Sequence, residues 1–257
     1  MILRASGLTK LYGDFLALDD VSLEVDAGEF VSIVGPNGAG KSTLINILTG
    51  VTRPSAGSVR VRDHEVTGLP PASLARLGVA RSFQLVQVFP DLTVLETLQA
   101  AVVARLGRGR RFFASLARDR EVQEGALEVA ELFGLGDERH VPARQLPQGD
   151  KKLLDVASAF ALKPEIILLD EPTSGVSTAD KTAIMDTLVT ASRRVGLKAI
   201  VQVEHDMDIV FGYSDRIFAL HQGKVLADAA PAAIRADQRV MDTVVGRKAG
   251  VSRAPAC

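Results

Sequence analysis

The spacing of hydrophobic and polar residues changes along the chain, from a period of two near the N-terminus to a helical period further on. Apolar and polar side chains alternate in residues 21–25 and 58–62, which predicts half-buried antiparallel strands. Residues 29–34 form an apolar-rich strand that runs into a glycine-rich turn, and a helix is predicted from about Lys41. The chain therefore begins with antiparallel strands and a strand–turn–helix unit.

The middle of the chain, about residues 93–160, has a helical pattern. Between residues 121 and 135 the apolar side chains fall on one face of a helix: Val122, Ala126, Val129, Ala130 and Phe133. A basic run at residues 105–111, followed by two phenylalanines, interrupts this pattern. Two interpretations of the run stay open, a solvated loop or a segment that contacts lipid headgroups or a partner.

The strand pattern returns after Pro164. Residues 166–169 are continuously apolar, as expected of a central parallel strand that is buried on both faces. A helix is predicted at 179–194 and another strand at 199–203, and this order indicates a parallel sheet with right-handed crossovers. The predicted fold class is α/β, with a parallel-sheet core, an N-terminal antiparallel β subdomain and an α-helical subdomain.

Composition narrows the classes of function. The chain has 257 residues and a formal net charge of −1, so it lacks the basic excess that favours a nucleic acid partner. Its one cysteine, Cys257, excludes an internal disulfide and suits a reducing cytoplasm. The sequence contains no run of about 18 uncharged apolar residues and no signal-peptide pattern. We therefore expect any work at a membrane to depend on docking to a membrane protein.

A phosphate-binding loop is predicted in the first strand–turn–helix unit. The motif G-x-x-x-x-G-K-[ST] is matched by eight consecutive residues: Gly35, Pro36, Asn37, Gly38, Ala39, Gly40, Lys41 and Ser42. The backbone N–H groups of this loop, and the start of the next helix with Thr43, attract phosphate oxygens. We expect Lys41 to reach the β- and γ-phosphates of ATP and the Ser42 hydroxyl to ligate Mg²⁺.

Charged residues follow two later strands. Asp170 and Glu171 come directly after a continuous apolar strand, where two carboxylates are costly unless they meet a cation. We expect Asp170 to bind Mg²⁺ through water and Glu171 to be the general base for the attacking water. The alternative is that the pair caps the turn at 172–175. His205 ends another strand at the same predicted edge, and is expected to contact the γ-phosphate.

These motifs, in this order, resemble those of ABC ATPases, a family of P-loop NTPases, and the resemblance covers residues 3–247. It implies one ABC ATPase domain with the helical subdomain inserted at about 93–160, and it leaves 248–257 as a disordered tail. It also implies that Tyr12 stacks on adenine. Gln84 resembles the glutamine that joins the catalytic residues, binds Mg²⁺ and links ATP to the membrane subunit.

Two further segments carry the resemblance and depart from the family pattern. Residues 146–150 occupy the position of the L-S-G-G-Q signature, where Gly149 would contact ATP held by the opposite subunit. A helix predicted from Asp150 to Leu162 follows, and its N-terminus can face the phosphate. Pro147 replaces the signature serine and has neither a hydroxyl nor an N–H, and Asp150 replaces a neutral glutamine. Ser177 replaces the D-loop aspartate. One hypothesis is that this signature forms the weaker half-site of an asymmetric pair.

Within the family, the chain most resembles the ATPases of branched-chain amino acid and amide importers, for example in residues 81–94, 203–208 and 231–237. The resemblance implies ATP and Mg²⁺ as cofactors, and a homodimer or a heterodimer with a second ABC ATPase. It also implies integral permease subunits as direct partners, a solute-binding protein outside the cell as an indirect partner, and no nucleic acid partner. The protein would lie at the cytoplasmic face of the inner membrane, as a peripheral protein. Val88 and Phe89 would either dock to the permease or pack in the core.

Three alternatives to an amino acid importer differ in how well they fit the sequence. A lipid or lipopolysaccharide exporter ATPase remains open, as does a soluble ABC ATPase without a transporter, although such proteins usually carry two cassettes or a long coiled-coil insertion. A G protein is excluded because it needs an N-K-x-D motif. The asparagines are Asn37 and Asn46, and neither precedes a lysine.

Overall fold

Strands and helices alternate along the residues that the computed structural model describes, which are 1–82, 89–109 and 119–244. The strands are β1 (Leu3–Tyr12), β2 (Phe15–Val25), β3 (Phe30–Val34), β4 (Ala56–Val61), β5 (His64–Glu65), β6 (Val79–Arg81), β7 (Ile166–Asp170), β8 (Ala199–Val203), β9 (Arg216–His221) and β10 (Lys224–Ala229). The helices are α1 (Lys41–Leu48), α2 (Pro71–Arg76), α3 (Val94–Arg105), α4 (Arg120–Leu132), α5 (Gln148–Phe160), α6 (Thr178–Val195), α7 (Met207–Tyr213), α8 (Pro231–Ala236) and α9 (Gln238–Val244).

The N-terminal strands form an antiparallel sheet in the order β2-β1-β4-β5. Buried and exposed residues alternate at the end of β2, from Val21 to Val25, as the period of two predicts. Leu3, Val25 and Val61 share one register position and are buried, so this sheet has one face in the core.

The second sheet has the order β10-β9-β3-β8-β7-β6. Its strands pair in parallel except at β10, which runs antiparallel to β9. Both faces are buried: Ile166 and Leu168 of β7 pack in the cluster around α1, whereas Ile167 and Leu169 pack against the helices of the other face. The predicted parallel core is confirmed, and the burial explains why residues 166–169 are apolar without interruption.

The helices α3, α4 and α5 form a layer beside the parallel sheet. Thr93 and Glu96 make a capping box at the start of α3, which satisfies two of the N–H groups at the helix end. The rings of Phe133 and Phe160 pack edge to face, 5.0 Å apart at their centroids, and join the end of α4 to α5.

The backbone is paired between the segment that precedes α3 and the segment that follows α4. Val94 N donates to Val141 O (3.1 Å), and Ala143 N donates to Leu92 O (2.8 Å). Arg144 N donates to Pro90 O (2.9 Å). The segments 90–94 and 141–144 therefore lie side by side, and their hydrogen bonds join the start of α3 to the segment that follows α4.

Most predicted boundaries agree with the structure, and two need correction. The helix predicted to begin at Asp150 begins at Gln148, because Pro147 is the N-cap with an extended backbone (φ −54°, ψ 156°). Arg105, predicted to start an interrupting run, is the last residue of α3. The predicted tail, residues 248–257, and the Phe112–Phe113 pair lie outside the described residues. Among those that are described, no helix is long and apolar enough to cross a bilayer.

Candidate active site

The predicted phosphate loop connects β3 to α1. Gly35 has φ +149°, and a Cβ there would lie 2.2 Å from Leu220 O; at Gly40, with φ +102°, a Cβ would lie 2.7 Å from Ala17 O. Both positions therefore require glycine, because the loop is packed against backbone of β2 and β9. The first turn of α1 carries no acidic residue. No carboxylate there would repel a phosphate from the positive end of the helix, which faces the loop.

Lys41 is the first residue of α1, and only 6 % of it is exposed. Its Nζ donates to Gly35 O (2.6 Å) and Pro36 O (3.0 Å), so the ammonium is satisfied by the carbonyl groups of its own loop. Burial lowers the pKa of Lys41, and the charges of Glu171 and Asp170 oppose that shift. The lysine and the acid pair are thus close enough to interact.

The acid pair and the histidine meet at one edge of the parallel sheet. Asp170 is paired in register with Val203, and Val203 is paired with Ile33, so the loops after β3, β7 and β8 leave the sheet side by side. Glu171 Oε1 lies 2.8 Å from His205 Nε2, and both side chains are about two-fifths exposed. A hydrogen-bonded carboxylate and imidazole that both reach solvent can hold a water molecule and accept its proton.

Glu171 has an unusual backbone conformation. Its φ is +50°, a region that residues other than glycine rarely adopt. Its N–H donates to Val203 O (3.0 Å) and its C=O accepts from Ser174 N (3.1 Å). These bonds fix the turn that carries the carboxylate out of β7 towards His205.

Asp170 has a partner that the sequence analysis did not identify. Arg81, the last residue of β6, donates from Nη2 to Asp170 Oδ2 (2.7 Å) and from Nη1 to Asn46 Oδ1 (2.7 Å). The guanidinium therefore ties the end of β7 to α1. In the sequence, Arg81 stands out only as the start of the segment that contains Gln84.

Glu204 is a second residue that the sequence analysis missed. Its carboxylate is buried, with 3 % exposure of the residue, and lies between the loops after β7 and β8. One oxygen accepts from the N–H and the hydroxyl of Thr173, and the other accepts from His205 N at 2.8 Å. Glu204 thus holds the backbone of the Glu171 loop and that of His205 together. Its neighbour His205 is a predicted site residue, and this is the one signal that could have found it.

The ring of Tyr12 lies at the tip of the first hairpin. Tyr12 is 47 % exposed, and Lys10 Nζ lies 4.9 Å from the ring centroid. Phe15, its partner across the turn, is 63 % exposed. An exposed aromatic face is consistent with stacking on a base. Gln84 and Val88 lie outside the described residues, whereas Phe89 is described and 48 % exposed, which favours a surface role over core packing.

The signature segment is acidic where a phosphate contact was predicted. Gly149 lies in the first turn of α5, and a Cβ there would lie 3.8 Å from atoms of Asp180. Burial raises the pKa of Asp150, and the charges of Glu138 and Asp180 raise it further. Three carboxylates therefore surround the N-terminus of the helix that should face an anion.

The D-loop segment contacts the signature helix of the same chain. Ser177 caps α6 by accepting from Asp180 N, so the serine keeps the capping role of an aspartate. Lys152 Nζ, on α5, donates to Ser174 Oγ (2.8 Å). The signature helix and the loop after the acid pair are thus joined within one chain.

Comparison with known proteins identifies the family. The profile of the ABC transporter family matches residues 18–174 of this chain. The chain belongs to the ABC transporter family. It is an ATPase of that family, and its two sheets and helical layer are those of an ATP-binding cassette.

Particular relatives of this cassette extend the comparison. The LivG protein of Escherichia coli strain K12, a high-affinity branched-chain amino acid transport ATP-binding protein, is 38% identical over 95% of this chain and 98% of its own length. The crystal structure of the ADP conformation of an ABC transporter cassette has a TM-score of 0.85 at 29% identity, and covers 95% and 98% of the two chains. A dimeric post-hydrolysis cassette bound to ADP and Pi has a TM-score of 0.75 at 28% identity, with 90% and 99% covered.

The residues at the sheet edge fit the Mg²⁺ that this family implies. Mg²⁺ takes oxygen ligands, and one or two protein ligands with substrate phosphates suffice. Ser42 offers an exposed hydroxyl in the first turn of α1. Asp170 offers a carboxylate whose Oδ2 is held by Arg81, so that its orientation is fixed.

Proposed function

We propose that this ATPase drives an importer of branched-chain or related amino acids or amides through separate permease subunits. The observation that carries this proposal is the 38% identity to LivG along 95% of the chain. The cassette would be a peripheral protein at the cytoplasmic face of the inner membrane. A solute-binding protein outside the membrane would deliver the solute to the permease and would never touch this chain.

Each site residue has a role in ATP hydrolysis under this proposal. The loop from Gly35 to Thr43 would hold the phosphates, with Lys41 transferring its hydrogen bonds from the loop carbonyls to phosphate oxygens. Ser42 and Asp170 would hold Mg²⁺, together with Gln84. When bound, Mg²⁺ would offset the negative charge of the phosphates.

The Glu171–His205 pair would act on the attacking water. Glu171 Oε1 would accept a proton from the water, and His205 would contact the γ-phosphate and hold the water in line. The 2.8 Å contact between the two side chains supports this assignment, since each restricts the orientation of the other. Glu204 would position both groups through their backbone.

Two cassettes would enclose ATP head to tail. The phosphate loop of one subunit would face Gly149 of the opposite subunit, in a homodimer or in a heterodimer with a second ABC ATPase. Neither subunit alone would complete a site, so ATP binding would close the pair and loss of the γ-phosphate would reopen it. The exposed Phe89 would lie in the surface that contacts the permease.

Substitution of the general base tests the site. We expect Glu171→Gln to keep ATP affinity and to lower turnover by about 10²- to 10⁴-fold, because the amide cannot accept the proton. Turnover is measured by phosphate release, and dimerisation by sedimentation with Mg–ATP, where the variant should accumulate as an ATP-bound dimer. The exposed Glu124→Gln on α4 is the matched control. Wild-type turnover in Glu171→Gln would remove Glu171 from the base role.

The substrate class needs a separate experiment. In proteoliposomes that contain this chain with its permease subunits, we expect leucine-loaded binding protein to stimulate ATP hydrolysis and leucine uptake. The Glu171→Gln complex is the control for uptake without hydrolysis. Stimulation by a lipid in place of leucine would assign the cassette to an exporter and contradict the import proposal.

A further inference from the structure

A cavity with a mixed polar and apolar lining lies at the end of the parallel sheet opposite the phosphate loop. It has a volume of about 800 Å³, which is in the range of ligand pockets. Gly78 and Glu165, which line it, directly precede β6 and β7. The acid pair follows the other end of β7, so the length of the strand, about 16 Å, separates the two sites.

The walls of this cavity concentrate positive charge. Four cationic side chains line it, namely Arg62, Arg76, Arg105 and Lys163, against the single carboxylate of Glu165. His64 is the remaining titratable group. The whole chain has a net charge of −1, so this local excess does not reflect a basic protein. A concave surface lined by one sign of charge attracts ions of the opposite sign.

Two of the guanidinium groups have no carboxylate partner among the residues that the structure describes. Glu165 pairs with Arg62, and with Lys198 at 3.1 Å. Lys163 lies 3.5 Å from Glu128, with both side chains more than half exposed. Among the described residues, no carboxylate is in salt-bridge contact with Arg76 or Arg105.

Arg105 carries the strongest signal for a ligand. Its Nη1 is buried and has no hydrogen-bond partner in the part of the chain that the structure describes. A buried guanidinium N–H without an acceptor is costly. Because Nη1 is shielded from solvent, an anion in the cavity would satisfy it once the Arg105 side chain turns towards the cavity. Arg76 donates from Nη2 to Ser73 Oγ (3.0 Å), a neutral acceptor, so its charge is also available to an anion.

We propose that this cavity binds a phosphate-bearing anion of at least two negative charges. Guanidinium groups pair with phosphate through two parallel N–H bonds. A phosphate group can carry about two negative charges, so it matches two guanidinium groups better than a single carboxylate does. The volume admits a group larger than one phosphate. The source is either a soluble phosphorylated molecule or the headgroup of an anionic phospholipid, and both present the same chemistry.

The position of the cavity predicts what the anion does. Arg105 belongs to α3 in the helical layer, whereas Arg76 and Gly78 belong to the segment that leads into β6 of the parallel sheet. An anion held by both would join the layer to the sheet. Since β6 ends at Arg81, which contacts Asp170, the bound anion would influence the active site through one short strand.

Titration with pyrophosphate tests the proposal. The full chain is first saturated with Mg–ADP, so that the phosphate loop is occupied, and pyrophosphate binding is then measured by calorimetry. We expect one further site, which Arg76→Gln weakens on the order of tenfold and Arg76→Gln/Arg105→Gln weakens more. Arg194→Gln, which removes one positive charge from the last turn of α6 outside the cavity, should change nothing.

A second arm distinguishes the two sources of phosphate. Sedimentation with phosphatidylglycerol vesicles, compared with phosphatidylcholine vesicles, measures headgroup binding in the same variants. Binding that depends on Arg76 in either arm supports the proposal and names the source. The absence of a second pyrophosphate site together with vesicle binding that is absent or equal in Arg76→Gln and Arg194→Gln would overturn it. Arg76 is exposed, so its replacement leaves the packing intact, and Mg–ADP affinity checks the fold.

Discussion

At the scale of single residues, the site depends on contacts between side chains that are distant in sequence. Arg81 holds Asp170 from 89 positions away, and Glu204 holds Thr173 from 31 positions away. Neither Arg81 nor Glu204 is one of the groups assigned to the attacking water. Arg81 instead fixes the orientation of Asp170, the expected Mg²⁺ ligand, and Glu204 fixes the backbone of His205, which would hold the water. Positioning of this kind can determine the rate.

Glu204 gives the first prediction. We expect Glu204→Gln to lower kcat by about tenfold or more with little change in KM for ATP, because the amide presents N–H groups to the N–H of Thr173 or His205. Thr173→Val should have a similar effect, and the double variant should be no worse than the stronger single one, since both remove the same connection. Steady-state kinetics measure this. Additive losses would mean that the two residues act separately.

Tyr12 gives the second prediction. We expect Tyr12→Ala to weaken ATP binding by about 1 kcal/mol, the value of base–aromatic stacking, whereas Tyr12→Phe keeps the ring and the affinity. Calorimetric titration with a non-hydrolysable ATP analogue measures both. If alanine leaves the affinity unchanged, the ring serves only to pack against Lys10.

The sequence alone predicts those site residues that lie in a short motif next to a predicted strand. The phosphate loop, the acid pair and His205 are recognisable because each follows a strand within a few residues, and the structure brings them to one edge. The positions of Arg81 and Glu138 could not be predicted, since their contacts depend on how strands and loops are paired in space. The carbonyl contacts of Lys41 were also missed, because the motif describes the lysine only with phosphate present.

At the scale of the element, α5 is the helix whose sequence agrees least with its expected role. Its N-cap is Pro147, which offers no side-chain acceptor, and its first turn carries Asp150 beside Asp180. A negative charge near a helix N-terminus is favoured by the helix dipole, but here burial and two nearby carboxylates disfavour the charged form of Asp150. The same charge would repel a phosphate from the opposite subunit, so the start of this helix is poorly suited to binding an anion.

Asp150 gives a prediction on stability and pH. Burial raises its pKa, so its contribution to stability is complete below the ordinary value of 3.8 and is lost as the pH rises through the higher folded value. We expect Asp150→Asn to raise the free energy of unfolding at pH 7, by less than about 1 kcal/mol, and to lose this advantage in acid. Urea unfolding at several pH values measures it, with the exposed Asp63→Asn as control. An advantage that grows in acid would contradict the assignment.

At the scale of the whole molecule, the two ATP sites of a closed pair need not be equal. The phosphate loop of this chain, with Glu171 and His205 in place, would face the signature of its partner. Its own signature, with Pro147 and Asp150, would face the ATP of the partner. In a heterodimer, the stronger site would thus be the one whose catalytic base this chain supplies.

The difference in ATP hydrolysis between the two sites can be measured in the assembled transporter. We expect Glu171→Gln in this chain to remove most ATP hydrolysis, and the matching change in a second ABC ATPase to cost at least about tenfold less, because the acidic signature supports that site poorly. Phosphate release from the two singly altered complexes compares them. Equal losses would contradict the asymmetry, and a transporter with two copies of this chain would lose both sites at once.

The paired backbone at the base of α3 and α4 has a mechanical consequence. The chain enters α3 through residues 90–94 and returns from α4 through 141–144, and hydrogen bonds join these two segments. A displacement of Phe89, which precedes the first segment, would therefore be transmitted to both segments at once. The start of α3 and the return from α4 would then move together, and a contact made at one surface residue would reach two helices.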